Sequence, residues 1–254
     1  MLQTRIIPCL QLIGTSLVKT IKFSNHTYIG DPINTVRIFN ELEVDELCFM
    51  DIRATIEGRA PNIAILEQIS NECFMPLSYG GGVTDFVTAK KILSIGFEKI
   101  IVNSAAYRDP GFVTRLSEHF GAQAVIGSID VKKNFLGKYQ VYVKDGTERT
   151  GLDPLEWAEK LASLGAGEIL LTAIDRDGTW SGFDVELTQK VAQAIAIPVI
   201  ANGGAGTLSH IREVVTTGHA SAVCLGSMVV YQQKGMGVLV NFPDKTTLEK
   251  ALEV

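Results

Sequence analysis

The chain has 254 residues, a net charge of -5 and 46% hydrophobic side chains. This length allows one large domain or two small ones, and the hydrophobic fraction is sufficient for a substantial core. An acidic chain lacks the basic surface that coats nucleic acid, so we expect no nucleic-acid partner, although main-chain amides can still bind a small phosphate. The first residues are too polar for a signal peptide and no long apolar run follows, which predicts a cytoplasmic protein without a membrane partner.

Short apolar runs alternate along the chain with longer stretches of helical periodicity. This alternation is typical of repeated strand–helix units, and runs that are apolar at nearly every position fit parallel strands buried on both faces. Eight such runs occur without a linker or low-complexity segment between them. The predicted strands are Arg5–Leu10, Glu46–Ile52, Pro76–Tyr79, Lys99–Asn103, Ala124–Asp130, Glu168–Ile174, Pro198–Asn202 and Ala222–Leu225.

Amphipathic stretches separate these strands. Asp85, Asp153 and Asp184 are helix-capping residues at three of their starts, and Gly96 and Gly165 are typical stops at two of their ends. We therefore predict a single α/β domain over residues 1–254, a (β/α)8 barrel, with a doubly wound eight-stranded sheet as the alternative. The clearest predicted helices are Ile33–Leu42, Asp85–Ile95, Leu155–Leu164 and Val185–Ala194.

The stretch from Ile13 to Gly30 follows the first predicted strand and carries no helical pattern. Its length predicts a long loop that acts as a mobile lid. Lys19 lies within it and either neutralises an anionic ligand or is simply solvated.

The two halves of the chain resemble each other at an offset of about 122 to 124 residues. Met75–Val83 corresponds to Ile197–Ala205, and both segments carry consecutive glycines after an apolar run. Val102–Ser104 corresponds in the same way to Leu225–Ser227. Self-similarity of this kind indicates two fused half-barrels with two equivalent ligand sites.

The glycines lie at predicted strand ends, on the face where barrel enzymes carry their active sites. Glycine lets main-chain amides approach a ligand, and a following helix N-terminus favours an anion. Tight strand–helix turns are the alternative explanation, but two matched copies favour phosphate groups at both ends of one ligand. The predicted phosphate-binding residues are Gly81, Gly82, Asn103 and Ser104 in one half and Gly178, Gly203, Gly204, Gly226 and Ser227 in the other.

Acidic residues at strand ends are the candidates for proton transfer. Asp130 ends the first strand of the second half and is the predicted general acid or base. Asp51, Asp175 and Asp177 contribute either to ligand binding or to loop architecture, and Asp175 is retained among the predicted substrate-binding residues.

The cysteines and histidines predict no metal site. No two cysteines form a Cys-x-x-Cys pair, and the histidines lack ligand spacing. Cys9, Cys48 and Cys224 lie inside apolar runs, which favours buried free thiols. We expect neither a metal nor a cofactor.

Several strings together resemble the cyclase (HisF-type) subunit of imidazole glycerol phosphate synthase, a histidine-biosynthesis family, over nearly the whole chain. The resemblance implies a lyase or synthase subunit of a glutamine amidotransferase complex. A HisH-type glutaminase would form a heterodimer with it at the N-terminal face of the barrel, and ammonia would pass along the barrel axis to a phosphorylated substrate that is cleaved and cyclised. The matching strings are Arg5–Leu10, Gly80–Gly82, Asn103–Ala106, Gly165–Leu170, Asp175–Gly178 and Gly203–Gly206.

The same resemblance implies a ring of charged residues that gates ammonia at the bottom of the barrel. Salt bridges that only stabilise the barrel are the alternative, although burying four charges without a purpose is costly. The matching positions are Arg5, Glu46, Lys99 and Glu168.

The end of the first strand departs from the family pattern. The family has a catalytic aspartate after Pro-Cys-Leu, where this chain has Gln11. An amide cannot transfer a proton at neutral pH, although it can still hydrogen-bond. A paralogous branch that serves lipopolysaccharide (surface-sugar) amidation is a better match. The strings that resemble it are Lys19–Phe23, Tyr28–Asn34, Arg37–Asn40, Val44–Leu47, Glu72–Pro76 and Lys234–Pro243.

Three alternatives stay open. The chain is an active histidine-pathway cyclase if Asp130 and water compensate for Gln11. It is a non-catalytic conduit if it only binds the glutaminase and a separate amidotransferase. The related isomerase of the preceding histidine step shares the half-barrel repeat but does not need the charged ring, and it also uses an aspartate on the first strand.

Overall fold

The computed structural model describes residues 4–252. Within them the chain alternates strands and helices in the order that the sequence predicts. The strands are β1 (Arg5–Ile13), β2 (Ser16–Ile21), β3 (Ser24–Gly30), β4 (Leu47–Asp51), β5 (Leu77–Gly80), β6 (Lys99–Val102), β7 (Val125–Lys133), β8 (Tyr139–Val143), β9 (Glu148–Arg149), β10 (Glu168–Ala173), β11 (Val199–Asn202) and β12 (Ala222–Leu225).

Eight of these strands form a closed parallel barrel. Their order is β1-β4-β5-β6-β7-β10-β11-β12, with β12 pairing back to β1. The pairing of β7 with β10, which runs from Ile126 opposite Glu168 to Val131 opposite Ala173, joins the two halves of the barrel. The predicted (β/α)8 barrel and its eight strands are therefore confirmed, and the doubly wound alternative is wrong because an open sheet would leave two edges unpaired.

Helices surround the barrel and bury their apolar faces against it. The main hydrophobic core lies between the two layers, and a smaller cluster fills the inside of the barrel. The helices are α1 (Pro32–Glu41), α2 (Ala54–Glu57), α3 (Ile63–Glu72), α4 (Phe86–Ser94), α5 (Ser104–Arg108), α6 (Gly111–Phe120), α7 (Pro154–Ser163), α8 (Val185–Ala194), α9 (Leu208–Thr216), α10 (Ser227–Val230) and α11 (Lys245–Leu252). Across residues 4–252, none of these helices has the length and apolar character needed to span a membrane.

The predicted helix caps are present. The side chains of Asp85, Asp153 and Asp184 accept hydrogen bonds from backbone N–H groups in the first turns of α4, α7 and α8. Each such bond satisfies a donor that has no partner inside the helix. Gly96 and Gly165 follow the ends of α4 and α7 with positive φ angles of 111° and 98°.

The predicted loop from Ile13 to Gly30 is wrong, because this stretch is a β-hairpin. β2 pairs antiparallel with β1, from Gln11 opposite Val18 to Ile13 opposite Ser16, and β3 pairs antiparallel with β2. Lys22 and Phe23 connect β2 and β3 with φ angles of 53° and 60°. Two central residues of positive φ make the turn that best fits the twist of a hairpin, and neither residue is a usual signal for it.

The second half of the barrel repeats this arrangement. β7 extends beyond the barrel as β1 does and pairs antiparallel with β8, from Asp130 opposite Tyr142 to Lys133 opposite Tyr139. Both half-barrels therefore begin with a nine-residue strand that continues into a hairpin over the carboxyl ends of the barrel strands. This shared detail supports the two fused half-barrels that the repeat predicts.

Two glycines at matched positions, Gly81 and Gly203, show why both halves of the chain carry glycine after a barrel strand. Gly81 has a φ of 111°, and a Cβ there would lie 2.2 Å from the carbonyl oxygen of Asp51. Gly203 has a φ of 92°, and a Cβ there would lie 2.8 Å from the carbonyl oxygen of Ala173. In both halves the glycine is needed because the backbone passes closely over the end of the preceding barrel strand. This close approach is what the alternative explanation of these glycines, a tight strand–helix turn, predicts.

We expect Gly81→Ala and Gly203→Ala each to lower the free energy of unfolding by at least about 2 kcal/mol, because each adds a backbone clash to an unfavourable φ. Urea unfolding measures the change. Gly237→Ala is the matched control, because a Cβ at Gly237 meets no atom within 4 Å and its φ is not positive. Equal effects of all three changes would contradict this explanation.

Candidate active site at the barrel mouth

Two adjoining cavities open at the carboxyl ends of the barrel strands. Their volumes are ≈ 100 Å³ and ≈ 20 Å³, and Cys9, Gln11 and Asn202 line both of them. The predicted residues that line the larger, first cavity are Gly81, Gly82, Asn103 and Ser104. Those that line the second cavity are Lys19, Gly178, Gly203, Gly204, Gly226 and Ser227. Each predicted set of residues therefore lies at its own cavity. That these residues bind phosphate stays a prediction.

Lys19 is buried on strand β2, so it is neither solvated nor in a loop. Its ammonium group lies 2.9 Å from a carboxylate oxygen of Asp177, and both side chains are buried. The side chain of Lys19 passes directly over Gly226, where a Cβ would come within 2.7 Å of Cε. The hairpin thus places the ammonium group of Lys19 at the second cavity, as an ion pair with Asp177.

Gln11 is fixed by the same hairpin. Its amide nitrogen donates to the Thr20 hydroxyl at 3.1 Å, and its amide oxygen accepts from the Thr20 backbone N–H at 3.1 Å. The Thr20 hydroxyl donates in turn to Asp177 at 2.7 Å. Both ends of the amide are therefore used in structure, so Gln11 acts as a hydrogen-bonding support between the two cavities.

Asp130 lies at the first cavity, where Asn103 donates a hydrogen bond of 3.1 Å to its carboxylate. Burial in the barrel, with a further contribution from the negative charge of Asp145, raises the pKa of Asp130 to about 7. A carboxyl group with this pKa exchanges its proton near neutral pH, which suits a general acid or base.

The sequence analysis missed Asp145 and Arg108, which also line the first cavity. Burial raises the pKa of Asp145 to about 6. Asp145 lies in the connection between β8 and β9, next to Gly146, where an aspartate is an ordinary turn residue and gives no signal of function. Arg108 lies four residues after Ser104 on α5, so the spacing along one helix could have identified it.

Two of the strand-end carboxylates serve the architecture of the loops. Asp51 receives two hydrogen bonds from Arg59, of 2.7 and 2.9 Å, and so is neutralised although it lines the first cavity. Asp175 accepts a hydrogen bond of 2.8 Å from the backbone N–H of Lys133 and lines neither mouth cavity. The structure therefore does not bring Asp175 to the site where the sequence predicted it.

The four charged residues at the opposite end of the barrel form a closed ring. Arg5 contacts Glu46 at 2.8 Å and Glu168 at 2.9 Å. Lys99 contacts Glu46 at 3.1 Å and Glu168 at 3.4 Å. Each charge thus has a partner of opposite sign on both sides, which offsets the cost of burial. Among the described residues, Oε2 of Glu168 is buried without a hydrogen-bond partner.

A small internal cavity of ≈ 10 Å³ lies between the ring and the mouth. Glu46 lines its lower side, and the apolar side chains of the barrel interior surround it. This volume corresponds to about one water-sized molecule. The barrel interior therefore has room for a small neutral species between its two ends.

These features define a class of protein: a (β/α)8 barrel with two glycine-lined cavities at one mouth and a closed ion-pair ring at the other. A family model described as histidine biosynthesis protein matches residues 5–235. A Pseudomonas aeruginosa protein, provisionally named imidazole glycerol phosphate synthase subunit hisF2, is 44% identical over 249 residues, which are 98% of this chain and 99% of that protein. A Synechocystis protein named imidazole glycerol phosphate synthase subunit HisF is 42% identical over 244 residues, which are 95% of this chain and 94% of that protein.

A Vibrio vulnificus protein, provisionally named subunit hisF3 of the same synthase, is 39% identical over 255 residues, which are 100% of this chain and 98% of that protein. The chain belongs to the histidine-biosynthesis protein family, and within it to the HisF-type subunits of imidazole glycerol phosphate synthase. The family resemblance predicted from the sequence is thereby confirmed.

The raised pKa of Asp130 predicts a decrease in stability as the pH rises. The folded protein holds a proton up to about pH 7, whereas the unfolded chain releases it near pH 4. The free energy of unfolding should therefore fall between pH 5 and pH 7 by an amount on the order of 2 kcal/mol. Asp130→Asn should remove that part of the pH dependence and raise the stability at pH 8.

Chemical denaturation at several pH values measures this effect. Asp109→Asn is the control, because Asp109 is an exposed carboxylate paired with Arg115 at the surface. Parallel pH profiles for the wild-type protein and Asp130→Asn would contradict the assignment of a raised pKa to Asp130.

Proposed function

We propose that this chain is the ammonia-using subunit of a glutamine amidotransferase complex and acts on a phosphorylated small molecule at the barrel mouth. One observation carries the proposal: a closed ring of ion pairs lies at one end of the barrel and two adjoining, glycine-lined cavities lie at the other. The partner in this proposal is a HisH-type glutaminase bound at the ring end.

The ring and the internal cavity support an ammonia route. Arg5 contacts both glutamates of the ring but is itself partly exposed at the barrel bottom, so a docked partner can reach it. The unpartnered oxygen of Glu168 is an acceptor that an incoming N–H group can satisfy. The cavity above Glu46 offers the next position along the axis.

The mouth supports binding of phosphate at two points. Gly81, Gly82 and Ser104 line the first cavity, where Arg108 adds a cation. Gly203, Ser227 and the ammonium group of Lys19 provide the equivalent groups at the second cavity. Each set combines small residues with one basic side chain, and at the second cavity that side chain, Lys19, is already paired with Asp177. Main-chain amides together with a basic side chain are a combination that holds a phosphate.

The proton-transfer groups support the surface-sugar branch over the histidine cyclase. Asp130 is able to give and take a proton near neutral pH, whereas Gln11 is held in hydrogen bonds to Thr20. A cyclisation that needs an acid or base at both positions lacks one of them. We therefore infer that ammonia is used here for amidation in surface-polysaccharide (lipopolysaccharide) synthesis, with Asp130 as the acid or base.

Asp145 favours the histidine-pathway cyclase as a second candidate. Its carboxyl group lines the same cavity as Asp130 and Gln11, and burial raises its pKa to about 6. A second carboxyl group that titrates near neutral pH is able to take the role of the aspartate that the family has at the position of Gln11. In that case Asp145→Asn abolishes the formation of imidazole glycerol phosphate.

Gln11→Asp provides the test between the two candidates. We expect the wild-type chain, supplied with ammonium salts and the bis-phosphate substrate of the histidine enzymes, to make imidazole glycerol phosphate slowly. Gln11→Asp should raise that rate by about 10²-fold, the lower end of what one positioned general acid or base contributes. Product formation over time is the measurement.

The matched comparison is a family member that has aspartate at this position. Wild-type turnover equal to that of the comparison enzyme would refute the surface-sugar assignment. Asp130→Asn is examined in the assembled complex with a glutaminase. Full glutamine-dependent product formation by that variant would favour the alternative that the chain is a non-catalytic conduit.

The ring predicts tight coupling between glutamine hydrolysis and ammonia transfer. In the Gln11→Asp background with the glutaminase bound, Arg5→Ala should increase the ammonia lost to solvent per glutamine hydrolysed, because it breaks the ring at its two shortest contacts. Ammonia release and product formation are measured together.

Arg37→Ala is the control, because Arg37 forms an exposed pair with Glu72 at 3.0 Å away from the barrel axis. A ring that only stabilises the barrel would give a different result: Arg5→Ala would lower the free energy of unfolding while the ratio of product to glutamine stayed the same.

A further inference from the structure

Three cysteines that are far apart in the sequence converge inside the barrel. Cys224, Cys9 and Cys48 lie on the adjacent strands β12, β1 and β4, and all three are buried with free thiols. Their sulfur atoms all lie within 4.8 Å of one another, and those of Cys9 and Cys48 are 3.8 Å apart. Each cysteine is isolated in the sequence, so this cluster exists only because the barrel closes.

The cluster lies at the boundary between the mouth and the interior of the barrel. Cys9 lines both mouth cavities, Cys48 lines the internal cavity, and Cys224 lines the second mouth cavity and the internal one. The surrounding side chains are apolar and include Ile7, Ile101 and Leu170. A ligand at this position is therefore in contact with three sulfur atoms and with an open space on the mouth side.

The spacing of the sulfur atoms fits one metal ion. A thiolate–zinc bond is about 2.3 Å long, so three thiolates around one ion lie about 4 Å apart. The observed separations reach this value with shifts of under about 1 Å, which side-chain rotation can supply. Soft sulfur ligands select thiophilic ions such as Zn²⁺, Cd²⁺ and Cu⁺ over Mg²⁺ or Ca²⁺.

The electrostatics of the cluster favour a thiolate at one cysteine. Hydrogen bonds from the thiols of Cys224 and Cys48 lower the pKa of Cys9, whereas the hydrogen bonds to Cys9 and burial raise the pKa values of Cys48 and Cys224. A thiolate is the form of cysteine that binds metal.

We propose that Cys9, Cys48 and Cys224 form a binding site for a thiophilic d¹⁰ metal ion, with Zn²⁺ as the reference ion. Three thiols release three protons when one Zn²⁺ binds, which leaves a net charge of -1 on the site. The fourth coordination position faces the mouth and takes a neutral water or ammonia molecule. Because protons are released, the affinity rises with pH.

Metal binding at this site has a consequence for ammonia transfer. This consequence, unlike the binding itself, rests on the proposed function. An ion bound to the three sulfur atoms fills the boundary between the internal cavity and the mouth, and so blocks ammonia that arrives from the ring end. Metal binding itself does not depend on the route and is tested without substrate or partner.

Direct binding provides the test. The reduced full-length chain, freed of metal, is titrated with Zn²⁺ against a chromophoric chelator, and with Co²⁺ and Cd²⁺ to detect thiolate-to-metal absorption bands. We expect one equivalent to bind with thiolate bands. Cys48→Ser and Cys224→Ser should each weaken binding by at least about 10–100-fold, the loss that removal of an outer partner of a metal ligand typically causes.

Cys73→Ser is the matched control, because Cys73 lies outside the cluster and its thiol contacts the carbonyl of Met75. Binding that is absent from the reduced wild-type chain, or that is lost in Cys73→Ser and kept in Cys48→Ser, would overturn the proposal.

A second measurement uses only the wild-type chain, so it does not depend on whether a substituted chain folds. The native wild-type chain is alkylated with a small reagent for long enough that the buried cluster reacts in the absence of metal, and the reaction is then repeated with Zn²⁺. Mass spectrometry of the peptides shows which thiols the metal protects. We expect Zn²⁺ to protect Cys9, Cys48 and Cys224 and to leave Cys73 reactive. Equal alkylation with and without metal, or a disulfide between two members of the cluster in the reduced sample, contradicts the site.

Discussion

Closure of the parallel barrel is the constraint on which the other features depend. Eight strands in a ring leave no open edge, and their inward side chains must fill the interior in layers. Here the layers differ in chemistry from one end to the other. The ring of Arg5, Glu46, Lys99 and Glu168 forms the bottom, the apolar layer with the three cysteines forms the middle, and Gln11 and Asp130 lie at the top.

The two half-barrels share a backbone and differ in what their first strands present to the site. In the first half, the hairpin holds Gln11 through Thr20 and pairs Lys19 with Asp177. In the second half, the hairpin leaves Asp130 at the cavity with Asn103 as a neighbour. The same architecture thus gives one side whose charges are paired and fixed by the hairpin, and one side that is acidic and titratable. This asymmetry suits a ligand whose two ends are held alike but whose chemistry occurs at one of them.

The barrel and the two cavities could be predicted because their signals are local in the sequence. Apolar runs identify strands buried on both faces, and the glycines repeat because both halves need the same close backbone approach at Gly81 and Gly203. The hairpin was missed because its turn is formed by Lys22 and Phe23 at positive φ, which are not typical turn residues. Asp145 and the cysteine cluster were missed for a different reason: their neighbours come from distant strands, and a single sequence does not report such contacts.

The charges at the mouth bear on the proposed binding of an anion there. Asp51 is neutralised by Arg59 and Asp177 is paired with Lys19, so the carboxyl groups left to repel a phosphate are those of Asp130 and Asp145. Both have pKa values raised by burial, to about 7 and about 6, and each exists partly in its neutral form near neutral pH. An anion in the first cavity favours those neutral forms further, because a nearby negative charge raises the pKa of a carboxyl group. Binding of an anion in the first cavity is therefore coupled to uptake of protons, and in the proposed reaction this coupling leaves a protonated carboxyl group beside the bound substrate.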